Sequence, residues 1–272
     1  MPSDNKSKYG FLIDLDGTMY AGHREIPDAA PFIKHLRERG WPFLFVTNNS
    51  SRTPEAVADH LRHMGIDAAV EEVVTSAQAA AEYVIQQSGG RATVYAIGEV
   101  GLRTALQEAG LHLLSDDYSA TQAPPDFVVQ GIDRDFHYAK LHRAATYLRA
   151  GARYVLTNPD RAIPSDDTFL PGAGSLAASI RMASEVEPVV IGKPNEPIVR
   201  FALGRLQPAE EVWVVGDNLW TDIASGEASG LRTALVLTGL ATADNLQSQL
   251  EQSGVKPDRI AANLLKLFET FG

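Results

Sequence analysis

The stretch Phe11-Leu12-Ile13-Asp14-Leu15-Asp16-Gly17-Thr18 is an apolar run that ends in two carboxylates and a glycine. The apolar part predicts a buried strand, and side-chain alternation along an extended chain would point Asp14 and Asp16 the same way. Gly17 allows a sharp turn directly after them. Two neighbouring carboxylates stay ionised when a cation lies between them, and oxygen ligands suit a hard divalent ion such as Mg2+. An ordinary strand that runs into an Asp-Gly turn is the alternative interpretation.

The rest of the chain has the rhythm of an α/β protein. Short apolar runs alternate with amphipathic stretches, which is typical of a largely parallel sheet with helices between the strands. Ser88-Gly89-Gly90 has the composition of a linker within this pattern. We therefore predict a discontinuous core domain, residues 1–87 and 188–272, interrupted by an inserted α/β domain, residues 88–187. The strand Val189-Val190-Ile191 is expected to return the chain to the core sheet.

Composition excludes several classes of function. The chain of 272 residues has no cysteine, so disulfides, thiolate nucleophiles and cysteine-based metal sites are excluded. A net charge of −10 argues against broad nucleic-acid binding, which needs many Lys and Arg contacts to phosphate. No apolar run is long enough for a membrane helix, and the polar first residues lack the apolar segment of a signal peptide. We expect a cytoplasmic protein that contacts neither nucleic acid nor membrane. His60 and His63, beside Asp59, are expected to lie on a solvated helix face.

Chemically useful residues follow four of the apolar runs. In open parallel sheets, ligands collect at the carboxyl ends of the strands, so residues directly after the strands are candidates for a shared site. Each group alone also fits a turn or an exposed side chain, but the four together favour one site. They are Asp14 with Asp16, Thr47 with Asn48, Lys193 in Gly192-Lys193-Pro194, and Gly216-Asp217-Asn218 with Thr221-Asp222.

These motifs resemble those of the haloacid dehalogenase superfamily, in its NagD-like and 4-nitrophenyl-phosphatase-like branch. The resemblance rests on Asp14-Leu15-Asp16-Gly17-Thr18, Thr47-Asn48-Asn49, Gly192-Lys193-Pro194 and Gly216-Asp217-Asn218-x-x-Thr221-Asp222-Ile223. Thr157-Asn158-Pro159-Asp160 and the following Pro171-Gly172-Ala173-Gly174 extend it into the predicted insert. It implies a Rossmann-like, doubly wound parallel sheet as the core and an inserted α/β cap domain.

The resemblance also implies a mechanism. Asp14 would attack phosphorus and form an aspartyl-phosphate, and Asp16 would protonate the leaving alkoxide and later accept a proton from water. Mg2+ would be held by Asp14, the backbone carbonyl of Asp16 and Asp217, while Asp222 would orient the site without binding the metal.

The phosphoryl oxygens would need fixed donors. The hydroxyl of Thr47, the backbone N–H of Asn48 and the ammonium of Lys193 would supply them. Asn49 is a further candidate for phosphate binding, and Asn218 is a candidate for supporting the site. Either asparagine could instead hold its own loop through bonds to the backbone.

Substrate choice is expected to lie in the inserted domain. The resemblance makes Asn158 and Asp160 candidate substrate-binding residues, although Asn158-Pro159-Asp160 also fits an ordinary turn. Relatives that act on pyridoxal phosphate carry a histidine three positions after this aspartate, where this chain has Ile163. That departure argues against pyridoxal phosphate as the main substrate.

The sequence thus predicts a Mg2+-dependent phosphatase of small phosphomonoesters of the sugar phosphate, phosphoglycolate, glycerol phosphate or nucleotide type. The partner would be a small phosphorylated metabolite, and the resemblance allows a homodimer. A dehalogenase shares the nucleophile but has no alkoxide for Asp16 to protonate. A phosphotransferase or mutase on the same fold and a non-catalytic protein that binds phosphorylated metabolites remain alternatives.

Overall fold

The computed structural model of the chain describes residues 7–22, 24–115, 123–165 and 168–272. The strands in these ranges are β1 (Ser7–Ile13), β2 (Tyr20–Ala21), β3 (Arg24–Glu25), β4 (Phe43–Thr47), β5 (Val73–Thr75), β6 (Thr93–Ile97), β7 (His112–Leu113), β8 (Phe127–Gln130), β9 (Arg153–Leu156), β10 (Ala162–Ser165), β11 (Thr168–Pro171), β12 (Val189–Val190), β13 (Ala209–Gly216), β14 (Arg232–Val236) and β15 (Arg259–Ala261).

Helices connect most of these strands. They are α1 (Ala29–Glu38), α2 (Pro54–His63), α3 (Ser76–Ser88), α4 (Val100–Glu108), α5 (Tyr138–Arg149), α6 (Ala173–Ser184), α7 (Glu196–Arg205), α8 (Ala224–Ala228), α9 (Leu246–Ser253) and α10 (Leu264–Glu269). A 3₁₀ turn (Val70–Glu72) precedes β5, and a π-helical turn (Leu219–Ile223) precedes α8. None of the described helices combines the length and the apolar character needed to cross a membrane.

The chain forms two compact units. The first comprises residues 1–47, 55–74 and 193–272, and the second comprises residues 48–54 and 75–192. The predicted insert, residues 88–187, falls within the second unit, which also takes in α3 and the loop after β4. The predicted domain bounds themselves stay a prediction.

The first unit is built on a six-stranded sheet in the order β15-β14-β13-β1-β4-β5. Strand β1 pairs in parallel with β13 on one side and with β4 on the other. From β1 the chain proceeds outward through β4 and β5, and later through β13, β14 and β15 on the opposite side. The order therefore reverses at β1 and β13, which is where open α/β sheets bind ligands.

The second half of β1, residues 10–13, is buried on both faces, as the continuous apolar run predicts. Phe11 and Ile13 belong to the core between the sheet, α1 and α10, and both are fully buried. Leu12 points to the opposite face and is only 2% exposed. Burying each such side chain contributes about 1.5–3 kcal/mol, so the strand that precedes Asp14 is firmly anchored.

The second unit has its own parallel sheet in the order β12-β9-β8-β6-β7. An antiparallel hairpin, β10 with β11, lies between β9 and α6 in the chain. The α/β class with parallel sheets is thereby confirmed.

The predicted strand at Val189-Val190-Ile191 was assigned to the wrong sheet. The strand at Val189–Val190 exists, but it pairs with Val155 and Leu156 of β9 in the second unit rather than with the core sheet. Two valines fit the edge of either parallel sheet, so the apolar pattern could not decide between them. Lys193 consequently follows a strand of the second unit's sheet, although the residue itself belongs to the first unit.

Two glycines of the first unit should respond oppositely to alanine. Gly204 lies in α7 with open space where an alanine methyl group would lie, so Gly204→Ala should raise the free energy of unfolding by about 0.5–1 kcal/mol. Gly10 lies in β1, where a Cβ would be 2.9 Å from Cβ of Ala209, so Gly10→Ala should lower it by about 1–3 kcal/mol.

Urea unfolding followed by tryptophan fluorescence measures both effects in the first unit, because Trp41, Trp213 and Trp220 all belong to it. A shift of both variants in the same direction would contradict the described packing of β1 and α7.

Candidate active site

Strand order brings two acidic residues of the first unit together. Asp14 directly follows β1 and Asp217 directly follows β13, and these strands are neighbours in the sheet. The backbone N–H of Asp14 donates to the carbonyl of Val215 at 2.8 Å, which continues the pairing up to the site. The two side chains therefore start from adjacent strand ends.

Asp14, Asp217 and Asp222 form a compact acidic cluster. One carboxylate oxygen of each lies within 4.8 Å of the others, and among the described residues this is the one group of three or more acidic or histidine side chains with such spacing. Asp217 is 2% exposed and Asp222 is 1% exposed. Carboxylates this close and this buried repel one another strongly unless positive charge is present.

Lys193 supplies part of that charge. Its ammonium Nζ lies 2.5 Å from Oδ1 of Asp14 and 2.7 Å from Oδ1 of Asp222, and it also donates to the carbonyl of Val46 at 3.0 Å. Burial alone would lower the pKa of Lys193, but the carboxylates of Asp14 and Asp222 raise it above its usual value. The lysine is therefore held as a cation inside the site.

One ammonium does not balance three carboxylates. Burial, and then repulsion from Asp222, raise the pKa of Asp14 well above its usual value, despite the opposing effect of Lys193. Burial and the same neighbour raise the pKa of Asp217 to about 7, although the N–H of Leu240 opposes the change. The cluster thus has excess negative charge that a bound cation could neutralise.

The two buried aspartates after β13 differ in how their oxygens are engaged. Oδ1 of Asp222 accepts from the ammonium of Lys193, and its Oδ2 accepts from the backbone N–H of Asn218 at 3.1 Å. Asp217 accepts from the N–H of Leu240 through Oδ2 at 2.5 Å and from the hydroxyl of Thr18 through Oδ1 at 3.4 Å. The strongest partner of Asp222 is therefore the ammonium of Lys193, whereas the partners of Asp217 are a backbone N–H and a hydroxyl.

Glycines make this close approach possible. A Cβ on Gly17 or on Gly239 would collide with Oδ2 of Asp217, and one on Gly216 would collide with Oδ2 of Asp222. Gly17 also has φ of +90°, a backbone conformation that favours glycine. Any larger residue at these positions would push into the acidic cluster.

The loop after β14 was missed in the sequence analysis. The hydroxyl of Thr238 donates to the carbonyl of Gly17 at 2.7 Å, and the next residues bring Gly239 and the N–H of Leu240 against Asp217. Thr18 was also missed as a contact, although its hydroxyl lies 3.5 Å from Oδ2 of Asp14. The available signal was position, since Thr238-Gly239 comes directly after the apolar run that forms the end of β14.

Asp16 lies apart from the acidic cluster. Strand β1 ends at Ile13, so the alternation that would have aligned Asp14 with Asp16 does not reach them. Asp16 sits in the following turn with an exposed side chain, and its Oδ1 accepts from the N–H of Gly22 at 3.4 Å. Thr47 is the last residue of β4, the other neighbour of β1, and is buried.

The predicted asparagines hold their loops. In the first unit, Oδ1 of Asn218 accepts from the N–H of Trp220 at 2.9 Å. In the second unit, Oδ1 of Asn49 accepts from the N–H of Ser51 at 2.8 Å and from that of Arg52 at 3.2 Å. These contacts match the loop-holding alternative, and a direct role of either side chain in binding substrate stays a prediction.

The remaining predicted residues of the second unit also have defined contacts. The carbonyl of Asn48 accepts from the hydroxyl of Ser76 at 2.6 Å. Asn158 is buried, and its Nδ2 donates to Oδ2 of Asp160 at 2.6 Å. The two candidate substrate-binding residues therefore contact each other, and their role toward substrate stays a prediction.

An acidic cluster with a buried lysine, at the point where a parallel sheet reverses its strand order, is typical of the active site of an α/β enzyme. The family model for haloacid dehalogenase-like hydrolases matches residues 11–112, and a family model described as HAD-hydrolase-like matches residues 190–267.

Named relatives align over nearly the whole chain. It is 43% identical over 248 residues to the 5'-nucleotidase YutF of Bacillus subtilis, covering 91% of this chain and 94% of that protein. It is 46% identical over 245 residues to an acid sugar phosphatase of Staphylococcus aureus, covering 90% of this chain and 92% of the relative.

A solved structure of a phosphatase is also similar to this chain. Glycerol phosphate phosphatase from Mycobacterium tuberculosis, in complex with magnesium, has a TM-score of 0.85 at 35% identity, covering 96% of this chain and 76% of that chain. The chain belongs to the haloacid dehalogenase-like hydrolases. The predicted enzyme class, a phosphoric monoester hydrolase, is confirmed.

The buried lysine should be essential to stability in metal-free protein. Lys193→Met would leave Asp14 and Asp222 without their counter-charge, so it should lower the free energy of unfolding by about 3–5 kcal/mol. Lys34→Met is the matched control, because Lys34 is exposed and pairs with Glu38 at 3.9 Å, and it should change stability by less than about 1 kcal/mol.

Urea unfolding with a chelator present measures both variants. Equal effects of the two substitutions would contradict the charge arrangement described for the cluster.

Proposed function

We propose that the chain is a Mg2+-dependent phosphatase of small phosphomonoesters that reacts through an aspartyl-phosphate on Asp14. The observation that carries this proposal is the acidic cluster itself. Lys193 holds Asp14 in place, but its single charge does not neutralise the three carboxylates. Phosphoryl transfer through a covalent intermediate requires a nucleophilic carboxylate, a fixed cation and a site for a divalent ion close together.

The residues present fit magnesium. Their donors are carboxylate oxygens, which Mg2+ prefers, and the raised pKa of Asp217 is the sign of a cluster that favours added positive charge. Asp14, Asp217 and the backbone carbonyl of Asp16 would hold the ion, while Asp222, which accepts from Lys193 and from the N–H of Asn218, would orient the site. Bound magnesium would offset the negative charge of the phosphoryl group. The magnesium complex of the mycobacterial relative supports magnesium as the ion.

Asp14 would be the nucleophile. One of its carboxylate oxygens attacks phosphorus, and the ester P–O bond breaks as the new P–O bond forms. The ammonium of Lys193 at 2.5 Å orients the carboxylate for this attack, and a bound cation beside it would favour the ionised form of Asp14. The hydroxyl of Thr47 and the backbone N–H of Asn48 would bind the phosphoryl oxygens.

Asp16 would move the protons. Its exposed position outside the cluster suits a group that must meet both a leaving group and water. It donates a proton to the leaving alkoxide in the first half of the reaction, then accepts one from the water that attacks the phosphorus of the aspartyl-phosphate. Free Asp14, phosphate and the alcohol are the products.

The substrate is proposed to be a phosphate ester of an aliphatic alcohol. The relatives are named for nucleotides, acid sugars and glycerol phosphate, and all of these release an alkoxide that needs a proton. A leaving alkoxide needs a general acid, which is the role proposed for Asp16. Asn158 and Asp160 of the second unit would contact its polar groups.

The first test is phosphate release from 4-nitrophenyl phosphate with and without Mg2+. Release should require the metal, and Asp14→Asn should reduce it by about 10³-fold or more because the nucleophile is lost. Asp244→Asn, which changes an exposed aspartate of the same unit, is the control and should remain active. Metal-independent release, or undiminished release by Asp14→Asn, would refute the proposal.

The second test separates Asp16 from Asp14. Asp16→Asn should lower kcat/KM for glycerol phosphate by about 10²–10⁴-fold, because the alkoxide then leaves without a proton. The loss for 4-nitrophenyl phosphate should be much smaller, since its leaving phenolate is already a stable anion. The ratio kcat/KM is used because it reports the step in which the leaving group departs. Equal losses on both substrates would contradict the assigned role.

A further inference from the structure

We propose that Ser50 and Thr157 are positioning residues that couple the loop of Asn158 and Asp160 to the loop of Asn48 and Asn49. All of these residues belong to the second unit. The inference deepens the proposed function and rests on it, because it assumes that one loop contacts the leaving group and the other the phosphoryl group.

A continuous chain of side-chain hydrogen bonds links the two loops. Oγ of Ser50 lies 3.2 Å from Oγ1 of Thr157, which lies 2.9 Å from Oδ1 of Asn158. Nδ2 of Asn158 lies 2.6 Å from the carboxylate of Asp160. We call these four side chains the relay. Ser50 and Thr157 are 2% and 0% exposed, so water does not compete for their bonds.

The direction of the relay follows from the chemistry of its last member. The carboxylate of Asp160 can only accept, so the amide of Asn158 must turn its Nδ2 toward Asp160 and its Oδ1 toward Thr157. The hydroxyl of Thr157 donates its one hydrogen to Oδ1 of Asn158, so in the 3.2 Å contact between the two hydroxyls Ser50 must be the donor and Thr157 the acceptor. The charge on Asp160 thereby fixes the orientation of every group back to Ser50.

The side chains of the relay are closely packed, so that one of them cannot move without displacing its neighbour. A Cβ on Gly131 would lie 2.5 Å from Oγ of Ser50 and 3.1 Å from Oγ1 of Thr157. The N–H of Ile132 donates to Oγ of Ser50 at 3.4 Å, which ties the same hydroxyl to the chain after β8. A change at one end therefore shifts the next group in the relay.

Thr157 also reaches the Asn48 loop through its backbone. Its carbonyl accepts from the N–H of Gly192 at 2.8 Å. Gly192 in turn lies against Asn48, since a Cβ there would be 2.5 Å from Oδ1 of Asn48. The hydroxyl of Thr157 thus contacts Ser50, and its backbone carbonyl binds Gly192, which lies against Asn48. Both sets of contacts lead to the loop that contains Asn48 and Ser50.

These contacts predict how substrate would be sensed. A polar group of the leaving alcohol that binds Asp160 competes with Asn158 for the carboxylate and so perturbs the relay as far as Ser50. Ser50 directly follows the Asn48-Asn49 pair, so the position of the backbone N–H of Asn48 responds. Loss of a relay hydroxyl should therefore affect the reaction step more than substrate binding.

The first experiment removes one hydroxyl at constant shape. Thr157→Val should lower kcat for glycerol phosphate about tenfold, with KM changed less than about twofold, which is the scale of one lost hydrogen bond. Thr157→Ser keeps the hydroxyl and should restore kcat. Thr146→Val is the matched control, because its exposed hydroxyl bonds within α5, to the carbonyl of His142, and kcat should be unchanged. Equal loss in Thr157→Val and Thr157→Ser would overturn the proposal, since it would show an effect of packing.

The second experiment is a double-mutant cycle across the two ends of the relay. Ser50→Ala and Asp160→Asn should each lower kcat, and the double variant should lose no more than the worse single variant. Losses that multiply would show that the ends act independently and would overturn the coupling.

Amide hydrogen exchange separates this inference from the proposed function. Residues 48–54 should exchange faster in Thr157→Val and in Asp160→Asn, but not in Thr146→Val. If wild-type protein releases no phosphate, the proposed function fails, while unchanged exchange in both relay variants would overturn the relay whether or not the protein is active.

Discussion

The structure of the active site depends on one buried ammonium. Lys193 pairs with Asp14 and Asp222, and without its charge three closely spaced, largely buried carboxylates would repel one another much more strongly. The arrangement also depends on missing side chains, because Gly17, Gly216 and Gly239 leave the space that the carboxylates occupy. Charge compensation is incomplete, which supports the proposed binding of a further cation.

Much of this could be predicted from the sequence because the signals were local. A continuous apolar run fits a strand buried on both faces, and residues directly after parallel strands meet at one sheet edge. Asp14 and Asp217 fit this rule, and they lie together with Lys193 and Asp222 in the structure. Lys193 joins them although it follows a strand of the other sheet. The distinct roles expected for Asp217 and Asp222 stay a prediction; their contacts differ in that Asp222 accepts from Lys193 and Asp217 from a backbone N–H.

What could not be predicted depends on contacts between distant segments. The sheet to which Val189–Val190 belongs is set by which strand lies beside it, and two apolar residues do not encode that. The hydrogen bond from Thr238 to Gly17 joins segments that are far apart in the chain. The hydrogen bond from Leu240 to Asp217 joins two different loops. Likewise, Asn49 has a phosphate-binding residue type, yet its Oδ1 is engaged by its own loop, which only the three-dimensional structure reveals.

The two units repeat one principle with different chemistry. In the first, an ion pair and glycines fix the carboxylates. In the second, the relay from Ser50 to Asp160 fixes two loops through neutral hydroxyls and one terminal charge. Reaction and recognition would thus each rest on a buried polar network whose members have few alternative partners.

The central claim is that Asp14 carries the phosphoryl group during turnover. Rapid acid quench of the enzyme with substrate and Mg2+, followed by peptide mass spectrometry, measures this directly. The account predicts a single added phosphoryl group on the peptide that contains Asp14, formed at least as fast as turnover. Steady turnover with no modified peptide, or with the phosphoryl group on another residue, would contradict it.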